Sequence, residues 1–172
     1  MTDLDDARAE LQSKLDEGTI CPCCRQFARR YRRKMNSGMA VALCWIVREF
    51  REKPRWIDMA TEAPRRVLES GGQYGALVHW NLIEPAPRTA NSGRPVSRSS
   101  GPFQPTAAGV AFATARISVP RYVLLYNNKA EDFSDEMTTI ADALGDHFDY
   151  YELMGYHPDD SISDDATAGY LF

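Results

Sequence analysis

The last 42 residues of this chain contain no lysine and no arginine, although the sequence has 20 basic residues in all. Those 20 lie in residues 1–130 beside 12 of the 24 acidic residues, so that part carries a net charge of +8. Residues 131–172 hold the other 12 acidic residues and carry −12. Acidic residues are in turn missing from Pro85 to Ala130. This division points to nucleic acid, or to an acidic segment that competes with it.

Long hydrophobic runs are also missing, since none approaches the roughly 18 apolar residues of a membrane span. The acidic start MTDLDD argues against a secretory signal, so we expect a cytoplasmic protein that contacts no membrane. No P-loop, G-x-S-x-G or H-E-x-x-H pattern occurs. We therefore predict no enzymatic activity.

With 172 residues and 44% apolar content, the chain can form one domain with a core.

Three of the four cysteines are crowded into the segment ICPCC, which is too tight for an ordinary disulfide framework. Cys21 and Cys24 have the C-x-x-C spacing that lets two thiolates reach one Zn²⁺, each at about 2.3 Å. A structural site needs four ligands, and Cys23, Cys44 and His79 could complete it only through the fold. Unliganded thiols and a redox pair are the alternatives, although a redox C-x-x-C is expected beside a βαβ pattern that is absent here.

The first 35 residues are predicted to hold two helices around this turn. Thr2 or Asp3 can cap the first helix, which ends near Gly18. Its apolar stripe consists of Leu4, Ala7, Leu11 and Leu15. The stripe either docks on the body or pairs with a second copy of the chain, which would make a homodimer.

The segment from Arg25 to Lys34 is predicted to be the second, basic helix, because Phe27 and Tyr31 fall four residues apart. Residues 18–48 contain seven basic residues and no acidic one. Solvated helices usually mix the two signs to gain i, i+4 pairs. The purely cationic face therefore favours phosphate contact over simple solvation.

Residues 36–130 are predicted to begin with a helix from about Gly38 to Arg51, capped by Asn36 or Ser37. Its core-facing stripe consists of Met39, Leu43, Ile46, Val47 and Phe50, with Cys44 buried beside it. A short strand at residues 55–59 follows and is expected to pair with a later hairpin.

Pro64 can open the next helix, and Gly71-Gly72 can end it. A second short helix then turns Tyr74, Leu77 and Trp80 inward, and two helices joined by a glycine turn form a helix-turn-helix unit. The open face of the second helix would carry Gln73, Gly75, Ala76 and His79. Glutamine can read adenine in the major groove, but this face has no arginine to read guanine.

The pieces LVHWNLIEP and QPTAAGVAF resemble, in that order, the end of the recognition helix and the post-wing helix of winged-helix regulators of the MarR and PadR type. The resemblance covers roughly a third of the chain. It implies that the loop PAPRTANSGRPVSRSSG is the wing between two strands. That loop is either a mobile solvated segment, or it brings Arg94 and Arg98 to a minor groove or to phosphates.

Downstream, Thr106 is expected to cap a short helix, and residues 117–126 have the composition of a strand. Asn127-Asn128 should turn the chain, and a helix is expected over residues 139–144. The order of CPCC, ISVPRYVLLYNN and DALGDHFDYYELMG is similar to that of small uncharacterised bacteriophage proteins. That resemblance implies a phage setting and a zinc-ribbon-like start that depends on Cys21 and Cys24.

The expected fold is mainly α with a small β-hairpin: a winged helix-turn-helix core (residues 36–130), N-terminal helices (1–35) and an acidic, aromatic C-terminal extension (131–172). The expected function is non-covalent binding of duplex DNA by a regulator or accessory factor. The predicted contacts are Arg25, Arg29, Arg30, Arg32, Arg33, Lys34, Arg65, Arg66, Gln73, His79, Arg88, Arg94 and Arg98. The alternative is a protein-interaction module whose acidic end binds a host protein, with DNA mimicry as one means.

Overall fold

The computed structural model describes residues 3–70, 73–87 and 101–156. The α-helices are α1 (Leu4–Lys14), α2 (Ser37–Glu52), α3 (Met59–Glu62), α4 (Arg65–Ser70), α5 (Ala107–Ala113), α6 (Ile140–Leu144) and α7 (Tyr150–Met154), with 3₁₀ segments at Tyr74–Trp80 and Gly145–His147. The strands are β1 (Thr19–Ile20), β2 (Phe27–Ala28), β3 (Tyr31–Lys34), β4 (Ile57–Asp58), β5 (Ile83–Pro85), β6 (Pro102–Pro105), β7 (Val119–Pro120), β8 (Tyr122–Tyr126), β9 (Lys129–Phe133) and β10 (Met137–Thr138).

The expectation of a mainly α protein with one small hairpin is wrong. Helices hold 46% of the described residues and strands hold 22%, arranged in four small sheets. The largest error concerns the basic segment, which is not a helix: it forms β2 and β3. Phe27 and Tyr31 lie in two different strands of two different sheets, so their spacing of four residues does not reflect one face of a helix.

The basic strand β3 pairs with β8, and β8 pairs with β9, so the sheet order is β3-β8-β9 and all neighbours are antiparallel. Tyr31 lies opposite Leu125 and Arg33 lies opposite Val123. Val123 and Leu125 are buried, and residues opposite each other point to one face of a sheet. Arg33 therefore stands on the inward-facing side, while Arg32 stands on the outer side.

A second sheet has the order β4-β6-β5, with Ile57 opposite Phe103 and Ile83 opposite Pro105. The short strand expected near residues 55–59 thus pairs with the hairpin as predicted. The loop of that hairpin, with Arg88, Arg94 and Arg98, lies outside the described residues.

The helix α2 is the centre of the core, and α4, α5, α6, α7 and the Tyr74–Trp80 segment all contact it. Asn36 caps it as predicted, because its side chain accepts a hydrogen bond of 2.9 Å from the Met39 N–H. Leu43, Cys44 and Ile46 are fully buried. The cap and the 3.6-residue stripe therefore explain this helix completely from local sequence.

The acidic residues after position 130 belong in part to the same body. Thr139 and Asp142 form a reciprocal capping box at the start of α6, which confirms the helix expected there. Ile140, Leu144 and Met154 join the core around α2. Residues 157–172 lie outside the described residues. Among the residues described, no helix combines the length and the apolar character that crossing a membrane requires.

Candidate nucleic-acid interface

A cleft of about 430 Å³ separates the 3₁₀ helix Tyr74–Trp80 from the turn between β8 and β9. One wall is formed by Gly75, Ala76, Val78 and His79, and the other by Asn128, Lys129 and Ala130. Arg33 of β3 completes the lining. The cleft is thus lined by three segments that are distant in sequence. The two walls lie about 50 residues apart, and Arg33 comes from near the N-terminus.

The first wall is held in place by the buried side of the 3₁₀ helix. Leu77 is fully buried, and the Trp80 indole Nε1 donates a hydrogen bond of 2.7 Å to the carbonyl oxygen of Pro120. The Tyr74 ring packs edge-on against Phe103 at a centroid distance of 5.9 Å. Gln73 remains exposed, as expected for the open face. Ala76 was expected on that face too, but it is buried, with 6% of its surface exposed.

The second wall is fixed by a two-residue hairpin turn. Asn127 and Asn128 both have positive φ, at 48° and 59°, and they link Tyr126 to Lys129. Two central residues in the left-handed region are typical of the turn whose twist matches an antiparallel hairpin, and asparagine tolerates that region well. The turn therefore holds Lys129 at the mouth of the cleft.

Three predicted contact residues meet here. The Arg33 guanidinium Nη2 donates a hydrogen bond of 3.4 Å to the Gln73 side-chain oxygen, and His79 lines the same cleft. Lys129 was not among the predicted contacts, although the acid-free stretch that ends at Ala130 contains it. The Asn-Asn turn beside it was the signal that could have placed it.

The charge around the cleft is not neutralised within the described part of the chain. Of its described lining residues, none is an aspartate or a glutamate. Ten of the described basic side chains make no ion pair with a described carboxylate, and six of these lie in residues 25–34 or at the start of β9: Arg25, Arg29, Arg32, Arg33, Lys34 and Lys129. Arg32 instead lies over the Tyr122 ring, 3.8 Å from its centroid. This group, hereafter the cationic set, leaves β2, β3 and the β8–β9 turn positively charged.

Three other predicted contacts have their charge engaged elsewhere. Arg30 forms ion pairs with Asp16 at 3.0 Å and with Glu131 at 2.6 Å, and the hydrogen bond to Glu131 is the largest cause that raises the pKa of Arg30. Arg65 pairs with Glu69 one turn along α4, at 2.6 Å. Arg66 reaches Glu152 of α7 at 3.5 Å. These pairs make Arg30, Arg65 and Arg66 weaker candidates for phosphate contact.

The cysteine pair lies in the turn of the β1–β2 hairpin. The Arg25 N–H donates a hydrogen bond of 2.9 Å to the Cys21 carbonyl, and Arg25 has a left-handed φ of 60°. The N–H groups of Cys24 and Cys23 donate to the Cys21 sulfur, and these bonds, that of Cys24 first, lower the pKa of the Cys21 thiol.

The other suggested ligands do not join this pair. Cys44 is fully buried in α2, where burial raises the pKa of its thiol to about 12, and His79 lines the cleft instead. Over residues 3–70, 73–87 and 101–156, no three metal-binding side chains come together. The hairpin alone therefore supplies two ligands at most.

The order of elements from α2 to β6 is helix, strand, helices and hairpin, which is the order that the winged-helix resemblance implies. No family model, no curated protein and no solved structure matches the chain. Both the winged-helix and the phage-protein resemblances therefore stay predictions. The function has to be inferred from the cleft and the charges around it.

Proposed function

We propose that the protein binds duplex DNA non-covalently through the cleft and the cationic set around it. The observation that carries this proposal is the placement of Arg33 and Lys129 on one cleft without a carboxylate among its described lining residues. Like charges that are held together repel one another, and a bound polyanion removes that cost. Duplex DNA offers about one negative charge per 1.7 Å of its axis, so several cationic groups can be neutralised together.

The contacts that face the cleft favour backbone binding over detailed base reading. Arg33, Lys129 and the rest of the cationic set suit phosphate oxygens, which fix orientation but carry no sequence information. Gln73 is exposed and can pair with adenine, and His79 lines the cleft. We therefore propose limited base specificity and a role as regulator or accessory factor in the cytoplasm of a bacterial host cell.

Three of the eight acidic residues in 131–156 are paired with basic residues of the same chain, which favours this assignment over DNA mimicry at those three positions. Glu131 and Glu152 pair with Arg30 and Arg66 of the same chain. Arg121 pairs in the same way with Glu136. A DNA mimic needs its carboxylates outward and unpaired, whereas these three are engaged within the body.

Fluorescence anisotropy with a labelled 20-base-pair duplex tests the proposal on the full chain. If four members of the cationic set, Arg32, Arg33, Lys34 and Lys129, contact phosphates, log Kd should rise with log salt at a slope of about 3.6, since each contact contributes about 0.9. Raising the salt from 50 to 200 mM should then weaken binding roughly 150-fold. Absence of binding at 50 mM salt, or a Kd that does not change with salt, would contradict DNA binding.

A further inference from the structure

The Cys21–Cys24 turn has the geometry of half a metal site. Both cysteines line one cavity, and the Arg25 N–H closes the turn between them with a hydrogen bond of 2.9 Å to the Cys21 carbonyl oxygen. Two thiolates on one tetrahedral Zn²⁺ lie about 3.8 Å apart, because each Zn–S bond is about 2.3 Å long. The C-x-x-C spacing in this tight turn therefore lets both sulfurs reach one ion.

The ligand number is incomplete within the described part of the chain. A closed structural zinc site takes four ligands, and thiolates alone can fill it. The described residues supply no third ligand at this hairpin. Cys21 is half-buried and Cys24 is exposed, so an ion held by this pair would still face outward with two open positions.

Three exposed apolar side chains lie beside the pair, on an open surface that Arg29 and Asn127 also line. Ile20 and Phe27 lie opposite each other across β1 and β2, and they are 56% and 59% exposed. Tyr31 is 59% exposed, and it lines with Phe27 the same shallow cavity of about 300 Å³ as the two cysteines. Exposed large apolar side chains that lie together mark contact surfaces, and Phe27 and Tyr31 share their cavity with the thiols.

We propose that Cys21 and Cys24 supply two of the four thiolates of a structural Zn²⁺ ion, and that the same two cysteines of a second copy supply the others. A two-fold axis through the ion makes the site complete and self-complementary, as in other isologous dimers. It also brings the Ile20, Phe27 and Tyr31 surfaces of the two copies together. Each thiol releases its proton to solvent on binding.

The local charge fits such a site. Four thiolates around one Zn²⁺ carry a net charge of −2. Arg25 lies in the turn itself, and Arg29 lines the cavity beside the cysteines. Neither makes an ion pair with a described carboxylate, so two copies bring four guanidinium groups to the anionic cluster.

The test measures zinc content and mass together on the full, untagged chain. Zinc-free protein titrated with ZnCl₂ should saturate at about half an equivalent per chain, because one ion serves four thiolates. Native mass spectrometry should then show one ion on a dimer of twice the 19.4 kDa chain mass. One equivalent of zinc on a monomer, or no zinc uptake, would overturn the proposal.

Matched cysteine variants test whether Cys21 and Cys24, and not Cys23, are the zinc ligands. Cys24→Ser should lose both zinc and the dimer, whereas Cys23→Ser, at the exposed position between the two ligands, should keep both. Loss of zinc in Cys23→Ser would overturn the assignment of ligands. If Cys24→Ser fails to fold, EDTA added to the parent protein replaces it. Sedimentation should then show the dimer dissociating, and a dimer that persists without zinc would contradict the shared site.

Discussion

Replacing Arg33 and Lys129 together by glutamine is expected to weaken the binding of duplex DNA roughly hundredfold at 50 mM salt. A hydrogen bond to a charged group contributes about 1.5 kcal/mol, and about 1.4 kcal/mol corresponds to a factor of ten in Kd. The slope of log Kd against log salt should fall by about 1.8, because two phosphate contacts are lost. Anisotropy titrations at four salt concentrations measure both quantities.

The matched control removes the same charge from another part of the molecule. Arg8 and Lys14 lie on α1, where they pair with Asp5 and Glu10 of the same helix. Replacing both by glutamine should leave the affinity within about twofold and the slope within about 0.3 of the parent, because no phosphate contact is lost. Equal weakening by the two double variants would show that only net charge matters, and the cleft would then have no special part.

Replacing Gly109 by alanine is expected to lower the free energy of unfolding by about 3 kcal/mol, the upper end of the cost of overpacking. A Cβ at this position would overlap the carbonyl oxygen of Leu82. The approach is close because Thr106 makes two hydrogen bonds to residues 81–82. Its N–H donates to the carbonyl oxygen of Leu82, and its hydroxyl donates to the carbonyl oxygen of Asn81 at 2.6 Å. Calorimetry should show the melting temperature lower by roughly 10 °C.

The direction of the stability change for Gly109→Ala distinguishes helix propensity from the close contact with Leu82. Helix propensity alone predicts that Gly109→Ala stabilises α5 by up to about 1 kcal/mol. Ala107→Gly, at the exposed start of the same helix, serves as the control and should cost no more than about 1 kcal/mol. An unchanged or higher melting temperature for Gly109→Ala would mean that α5 does not lie against the Leu82 backbone.

The elements that were predicted correctly are those whose determinants lie close together in sequence. The α2 helix has its cap, its stripe and Pro54 within 20 residues, and the Asn127-Asn128 turn is specified by two residues. The short helices after Thr106 and Thr139 follow from their caps. Local hydrogen bonds and periodicity decide all of these.

The basic segment was mispredicted because its partner is distant. β3 becomes a strand by pairing with β8, about 90 residues later, and only the alternation of Val123 and Leu125 indicates that partner. The candidate site shows the same limit. Gln73 and His79 could be placed on one short helix, but Lys129 and Arg33 reach it through the β3-β8-β9 sheet. Composition suggested a cationic surface and could not say which charges the acidic residues would neutralise.

Site-specific photo-cross-linking tests most directly whether the cleft lies on DNA. Benzoylphenylalanine placed at Gln73, which is exposed and bonded to Arg33, is compared with the same group at Glu52, the exposed last residue of α2. The length of α2 separates Glu52 from the β3 end by about 24 Å, at about 1.5 Å per residue. Irradiation with a 20-base-pair duplex at 50 mM salt should cross-link the protein at position 73 and not at position 52. Equal cross-linking at both positions, or cross-linking at position 52 alone while the duplex is bound, would contradict binding through the cleft.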